Sequence, residues 1–347
     1  MGVTPRMNSA PGRFYSPELD GLRFVAALLV FVHHAPGLPY LGGVKEYGWL
    51  GVDLFLSLSA YLITRLAMLE QERTGGFALR LFFIRRALRI WPLYFLFALS
   101  ACLASFLAGV TDGQTSARWA LSHLSFSANI LTAVTGYSTV SFSPHLWTIS
   151  LEEQAYLVLA LLLSVYFAKR ASPRTAVKLG LALVGVLIVA RIALLDAPHP
   201  FVWVTLLRAD AFIFGALAAL AGITSRWWTL PIGIALICSV ALFPPIGSGQ
   251  AYDIFGYTVL AAGCTMVILS VPKWLGVFRY FGKISYGIYV YHLAALWLAS
   301  KLTGDLMWAF AIGLIAVLAI SSLSYYILEA PFLRLKQRFT LVDSRKI

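Results

Sequence analysis

Charge is scarce in this sequence. Only 12% of its 347 residues are Asp, Glu, Lys or Arg, where a soluble globular chain carries about a quarter. Acidic residues are the scarcer sign, 15 against 27 basic. Cysteine is rarer still. Cys102, Cys238 and Cys264 each sit in an apolar run and none forms a CxxC pair, which argues against a disulfide framework or a thiolate zinc site. No His, Cys, Asp and Glu cluster at ligand spacing, so no metal is expected. Internal repeats, low-complexity tracts and a soluble appended domain are also missing. What remains is apolar: 60% of the residues are hydrophobic. That composition predicts an all-α integral membrane protein.

Stretches long enough to cross a bilayer, about 20 residues each, recur near 21–38, 48–69, 91–110, 146–168, 178–195, 203–222, 228–244, 254–271, 284–300 and 306–328. They predict about ten transmembrane helices. The first run ends in His-His-Ala-Pro without a small-residue cleavage site, and reads as a retained span rather than a signal peptide. The stretch 119–135 is too polar for a span and is expected on the surface or re-entering. Alternation of charge supports the count. With ten spans, 22 of the 27 basic residues fall on one side, leaving Lys45, Arg118, Arg191, Arg208 and Lys301 on the other. Positive charge stays cytoplasmic, so both termini are expected inside. The net charge of +12 is then mostly topology, with some attraction to anionic lipid, and no nucleic-acid partner is implied. The expected division is a cytoplasmic segment 1–17, a membrane domain 18–338 and a cytoplasmic tail 339–347.

The polar residues inside the spans are few enough to weigh singly. In ELDGLRFVAALLVFVHHA, Arg23 and His34 are eleven residues apart, about three turns and roughly 16 Å of rise, so they share a helix face. Asp20 lies on that face and can pair with Arg23, while His33 is rotated about 100° away. Such a stripe is either a snorkelling arginine plus interfacial histidines or the lining of a watery path, in which His34 could serve as a general base. Asp53 in GWLGVDLFLSLSAYLIT reaches about the depth of His34. In HLWTISLEEQAYL, a helix would align His145, Thr148, Glu152 and Tyr156 on one face, with Glu153 turned away. Arg86 and Arg89 in FFIRRALRIWPLY are either a positive-inside anchor or a phosphate clamp. Ser285, Tyr289 and His292 in KISYGIYVYHLAALW share a face, and Arg208 and Asp210 in LLRADAFIFG lie near an outer helix end.

Taken together these stretches resemble the acyltransferase-3 family of ten-helix bacterial membrane acyltransferases. LDGLRFVAALLVFVHH resembles its first-helix motif, an arginine, ten residues, then a histidine, matched by Arg23 and His34. GVDLFLSLSAYLIT, RRALRIWPLY, LWTISLEEQAY, LRADAFIFG, ISYGIYVYH and LEAPF are similar to its later motifs, in order, from about residue 17 to 338. Departures are Ala60 for the usual glycine, Ser57 for an apolar residue, Thr148 for serine and Ala155 for an aromatic; they bear on acceptor shape. The resemblance is to the stand-alone form of the family, without an extracytoplasmic hydrolase-like domain.

The resemblance implies transfer of an acyl group, most simply acetyl, from cytoplasmic acyl-CoA to a hydroxyl of a cell-surface glycan or its lipid-linked precursor, in the bacterial inner membrane. The expected layout has Arg23, Arg86 and Arg89 holding the donor and His34 as general base. Asp53 or Glu152 would orient that base. Tyr289 or His292 would steady the developing oxyanion, and Arg208, Asp210, His145 and Trp147 would support the site. An acyl-histidine intermediate is a second route. A macrolide or other small-molecule hydroxyl is a rival acceptor. A proton-coupled transporter is a rival of another class, though the inverted repeats common in transporters are not visible in the sequence.

Overall fold

A computed structural model of the chain describes residues 14–35, 42–194, 207–240 and 251–342, without the side chains of 42, 43 and 251–253. Every regular element among them is helical. Helix α1, Pro17–His34, starts with a proline at its first turn, where the missing N–H costs no hydrogen bond. A short α2, Gly42–Tyr47, leads into α3, Leu50–Thr74. Gly75 ends α3 at φ +72°, its N–H bonded to the Gln71 carbonyl at 3.0 Å, a left-handed cap that favours glycine. Helix α4, Leu79–Leu107, comes next. Two short helices follow, α5, Gly113–Leu124, and α6, Ala128–Thr135, then α7, Trp147–Ala168, and α8, Pro173–Ala193. Beyond them lie α9, Asp210–Leu220, α10, Thr229–Val240, α11, Ala251–Leu269, α12, Arg279–Leu302, and α13, Leu306–Ser324. A π-turn at Tyr325–Glu329 joins α13 to α14, Ala330–Gln337.

Five described helices are long and apolar enough to cross a bilayer: one ending at Thr74, then α4, α7, α8 and one running from Leu306 to Gln337. A sixth counts if Ile254–Leu269 and Lys273–Leu302, bent by 86° at their junction, form one broken span. The expectation of ten therefore exceeds what length and apolarity establish. Helix α1 carries Glu18 and Asp20 in its first turn, and α9 and α10 have 11 and 12 residues. The expected spans at 203–222 and 228–244 continue into residues outside the described ones, as do the ends of 21–38 and 178–195. The polar stretch 119–135 is not a span; it forms parts of α5 and α6.

The exposed surface is inverted relative to a soluble protein. Leu107 is 73% exposed and Ile315 69%, with Leu103, Leu162 and Val189 similarly bare. In water such faces would be aggregation sites; in lipid they are the solvent-matched surface. The polar groups lie inside instead, among them Asp53, Asp210, Arg191, Arg208, His145 and His292. Helix α1 packs between α3 and α12, α9 packs on α3, and α13 packs on α12. Small residues permit this closeness: a Cβ on Gly51 of α3 would stand 2.3 Å from the Ala26 carbonyl oxygen of α1. That contact sets α1 deep in the bundle, with Asp20 buried and Arg23 on a cavity wall.

Candidate active site

A cavity of about 700 Å³, partly open to solvent, lies between α1, α3, α4, α7 and α12. Arg23, Arg86 and Arg89 line it together with Ser59, Glu152, Tyr156, Thr148 and Tyr289. Eight of the residues singled out from sequence thus share one cavity: Arg23, Arg86, Arg89, Thr148, Glu152, Tyr156, Ser285 and Tyr289. Asp20 pairs with Arg23 at 3.6 Å, as the i, i+3 spacing implies. The Arg86 guanidinium lies 5.8 Å from the Tyr156 ring centroid. Thr148, Glu152 and Tyr156 share a face of α7, whereas His145 precedes the helix. Glu152 accepts at Oε1 from Ser59 at 2.9 Å and from the Tyr156 hydroxyl. Glu153 faces elsewhere and accepts from the Trp91 indole at 3.2 Å.

His34 ends α1 with an exposed ring. Its Nδ1 lies 2.9 Å from the Val30 carbonyl oxygen and 3.3 Å from Nε2 of His292. His292 Nδ1 lies 2.6 Å from the Tyr289 carbonyl oxygen. A carbonyl only accepts, so each Nδ1 carries the proton, and the tautomers follow from these bonds. His292 Nε2 then shares the His34 Nδ1–H with the Val30 carbonyl, as the longer arm of a three-centre bond. The lone pair of His34 is left on Nε2, away from the backbone. His145 stacks edge-on against His292 at 4.5 Å between centroids and against Tyr289 at 5.2 Å. The Tyr289 hydroxyl bonds the His145 carbonyl at 2.8 Å and also meets Thr148. Three histidines and a tyrosine from α1, α12 and the turn before α7 are thereby locked together. Trp147 is buried in the same core as Tyr289.

The remaining expectations fall elsewhere. Asp53 does not orient His34: it is ion-paired with Arg208, whose Nε donates at 2.8 Å. Glu152 makes its bonds to Ser59 and Tyr156 rather than to His34. Arg208 and Asp210, two residues apart, point to different faces, so Asp210 pairs with Arg191 instead and accepts from Thr258 at 2.6 Å. Tyr257 lies between the two pairs, 5.4 Å from the Arg191 guanidinium and 5.2 Å from that of Arg208. Tyr289 and His292 are both committed to the bonds above rather than held open toward an oxyanion. Sequence reading missed the part played by Arg191, visible only as a lone arginine closing an apolar run. It also missed Ser59, and the buried Glu70–Arg85 pair at 2.7 Å.

An arginine-lined cavity whose Tyr289 is bonded into a histidine cluster suits group transfer to a hydroxyl. No group of three or more His, Cys, Asp or Glu able to hold a metal occurs among the described residues. The sequence profile described as an acyltransferase domain matches residues 16–326. A Staphylococcus aureus protein provisionally named an O-acetyltransferase is 26% identical over 354 residues, 92% of this chain and 57% of its own. Peptidoglycan O-acetyltransferase OatA of Listeria monocytogenes is 23% identical over 353 residues, 92% and 56% respectively. A provisionally named acetyltransferase of Acidianus two-tailed virus is 29% identical over 293 residues, 80% and 83%. This chain spans little more than half the length of the Staphylococcus and Listeria proteins. No solved structure matches it. The chain belongs to the acyltransferase-3 family and is a multi-pass membrane protein.

Proposed function

We propose that this acyltransferase moves an acetyl group from cytoplasmic acetyl-CoA to a hydroxyl of a cell-envelope glycan or its lipid-linked precursor. The supporting observation is the shared cavity. Guanidiniums of Arg23, Arg86 and Arg89 line it, and they suit the anionic end of the donor. Tyr289 lines it too and is tied through its backbone carbonyl to the His292–His34 pair. The name of the Listeria relative favours a glycan acceptor. The protein sits in the inner membrane with ten spans and both termini in the cytoplasm, in keeping with the basic residues of its loops.

In this reading His34 Nε2 takes the proton of the acceptor hydroxyl as the oxygen attacks the thioester carbonyl. The C–O bond forms, the tetrahedral intermediate collapses, and the C–S bond breaks. The imidazolium returns its proton to the departing CoA thiolate. His292 Nε2 accepts from His34 Nδ1–H throughout, the task a carboxylate performs in a serine-protease triad. Glu152, held by Ser59 and Tyr156, offers a fixed acceptor for substrate N–H or O–H groups.

The test is CoA release from acetyl-CoA by detergent-purified protein, supplied with envelope glycan, for wild type, His34→Ala and His33→Ala. His33 Nδ1 is bonded to the Lys45 carbonyl at 2.8 Å and serves as the control. Wild type and His33→Ala are expected to release CoA and His34→Ala to fall by about a hundredfold or more. Equal activity in all three refutes the role of His34. A change in the chemical shift of a sugar proton beside the new ester identifies the acceptor as glycan.

A further inference from the structure

A second cleft, of about 430 Å³, adjoins the first and shares Arg86 with it. Its other walls include Arg85 and Glu70 of the α3–α4 hairpin and Lys336, Thr340 and Val342 near the end of the described chain. Arg85 is already satisfied, by Glu70 at 2.7 Å and by the Phe339 carbonyl at 3.0 Å. The other cations are not. Among the described residues no carboxylate lies within ion-pair distance of Arg86, Arg89 or Lys336. Arg86 Nε is buried without a hydrogen-bond partner, and Lys336 lines the same cleft as Arg85 and Arg86.

Partly buried like charges are costly unless a counter-charge joins them. The counter-charge that suits a planar fork beside an ammonium is a phosphate, with several terminal oxygens for charge-assisted bonds. We infer that this cleft binds a phosphate monoester, and that Lys336 makes the enzyme distinguish a donor bearing a phosphate on its ribose 3′ oxygen from one lacking it. The inference rests on the acyl-CoA reading above. Its support is the shared residue: Arg86 forms part of the wall of both, so a ligand held at Arg86 in the acyl cavity lies beside the cleft. In coenzyme A the 3′-phosphate branches away from the pyrophosphate arm, so one ligand needs two neighbouring anion pockets. An anionic lipid headgroup carries the same chemistry and is the other source to separate.

The experiment compares acetyl-CoA with acetyl-3′-dephospho-CoA as donors, by kcat/KM, for wild type, Lys336→Ala and Lys336→Arg, each in micelles with and without phosphatidylglycerol. Wild type is expected to prefer acetyl-CoA by about ten- to a hundredfold, the worth of one hydrogen-bonded charge contact. Lys336→Ala should bring that ratio near one, and Lys336→Arg should keep most of it. A ratio unchanged in Lys336→Ala overturns the inference, as does an equal loss on both donors. A Lys336 effect that follows phosphatidylglycerol instead of the donor assigns the cleft to lipid and also overturns it. Wild type inert with both donors removes the acyl-CoA reading and this inference with it. Wild type active but indifferent to the phosphate removes this inference alone.

Discussion

His292 Nε2 stands 3.3 Å from His34 Nδ1, while the backbone carbonyls of Val30 and Tyr289 fix a proton on the Nδ1 of each ring. One imidazole thus holds the other with its basic nitrogen left on Nε2. In the proposed mechanism His292 is a positioning residue whose useful property is an acceptor lone pair at one point. Replacing it with glutamine keeps an acceptor on a side chain of similar reach; replacing it with alanine does not. His292→Ala is expected to lower kcat by about a hundredfold, and His292→Gln to recover a substantial part of it, with KM for the acyl donor little changed in either. Steady-state kinetics on folded, monodisperse protein check this. Equal losses for the two variants would assign His292 to packing.

The proposed mechanism leaves the twin buried pairs Asp53–Arg208 and Asp210–Arg191 to serve the fold. Removing one member of a buried pair leaves a naked charge and costs about 3–5 kcal/mol, whereas replacing both with apolar residues is often neutral. Asp53→Leu alone should therefore melt far earlier in detergent than wild type. The double variant Asp53→Leu, Arg208→Met should regain most of the melting temperature and also catalytic activity. A double variant that is stable but inactive would return Asp53 to the chemistry.

Much of this organisation was legible in the residues. The i, i+3 pairing of Asp20 with Arg23 and the shared face of Thr148, Glu152 and Tyr156 follow from the 3.6-residue period alone. The cavity residues Arg86, Arg89, Glu152 and Tyr289 were marked by being polar in apolar surroundings. Partner choice was not legible. Asp53 could reach His34 in depth, but depth along a helix says nothing about rotation between helices. The structure turns it to Arg208, 155 positions away in sequence. His292 looked like an oxyanion donor because its face was known and its tautomer was not. Arg191 reads as one more outer-side basic residue until Asp210 is seen beside it. Length and apolarity establish five or six spans among the described residues, because charge shortens the apolar run in α1 and the described parts of α9 and α10 are short.

His123 of α5 is fully buried, with Nδ1 3.0 Å from the Tyr94 hydroxyl. Burial pushes its pKa down from 6.5 to about 4. The folded protein then binds fewer protons than the unfolded chain between those values. Stability from this group is complete above pH 6.5 and is lost as pH falls toward 4, by on the order of 3 kcal/mol. His123→Gln, which has no charge to gain, should show a shallower fall in melting temperature between pH 6.5 and 4.5. Parallel curves for wild type and variant would show that His123 does not contribute to acid sensitivity.

Sidedness gives the last prediction. Cys238 is exposed, while Cys102 and Cys264 are buried, so a Cys238→Ser background leaves no readily labelled thiol. Thr115 in α5 and Thr175 in the first turn of α8 are both near element starts where polar caps, Asp112 and Ser172, hold the backbone. The proposed ten-span topology puts Thr115 outside and Thr175 inside. In intact cells a membrane-impermeant maleimide should label Thr115→Cys and leave Thr175→Cys untouched until the membrane is opened. The Thr115 N–H donates to Asp112 Oδ1 at 2.7 Å; the substitution removes only the hydroxyl bond to Oδ2 at 3.2 Å and leaves this backbone cap in place. The opposite labelling pattern would invert the topology. It would also place Arg86 and Arg89 on the wrong side of the membrane for a cytoplasmic donor, so this labelling tests the direction of acyl transfer as well as the fold.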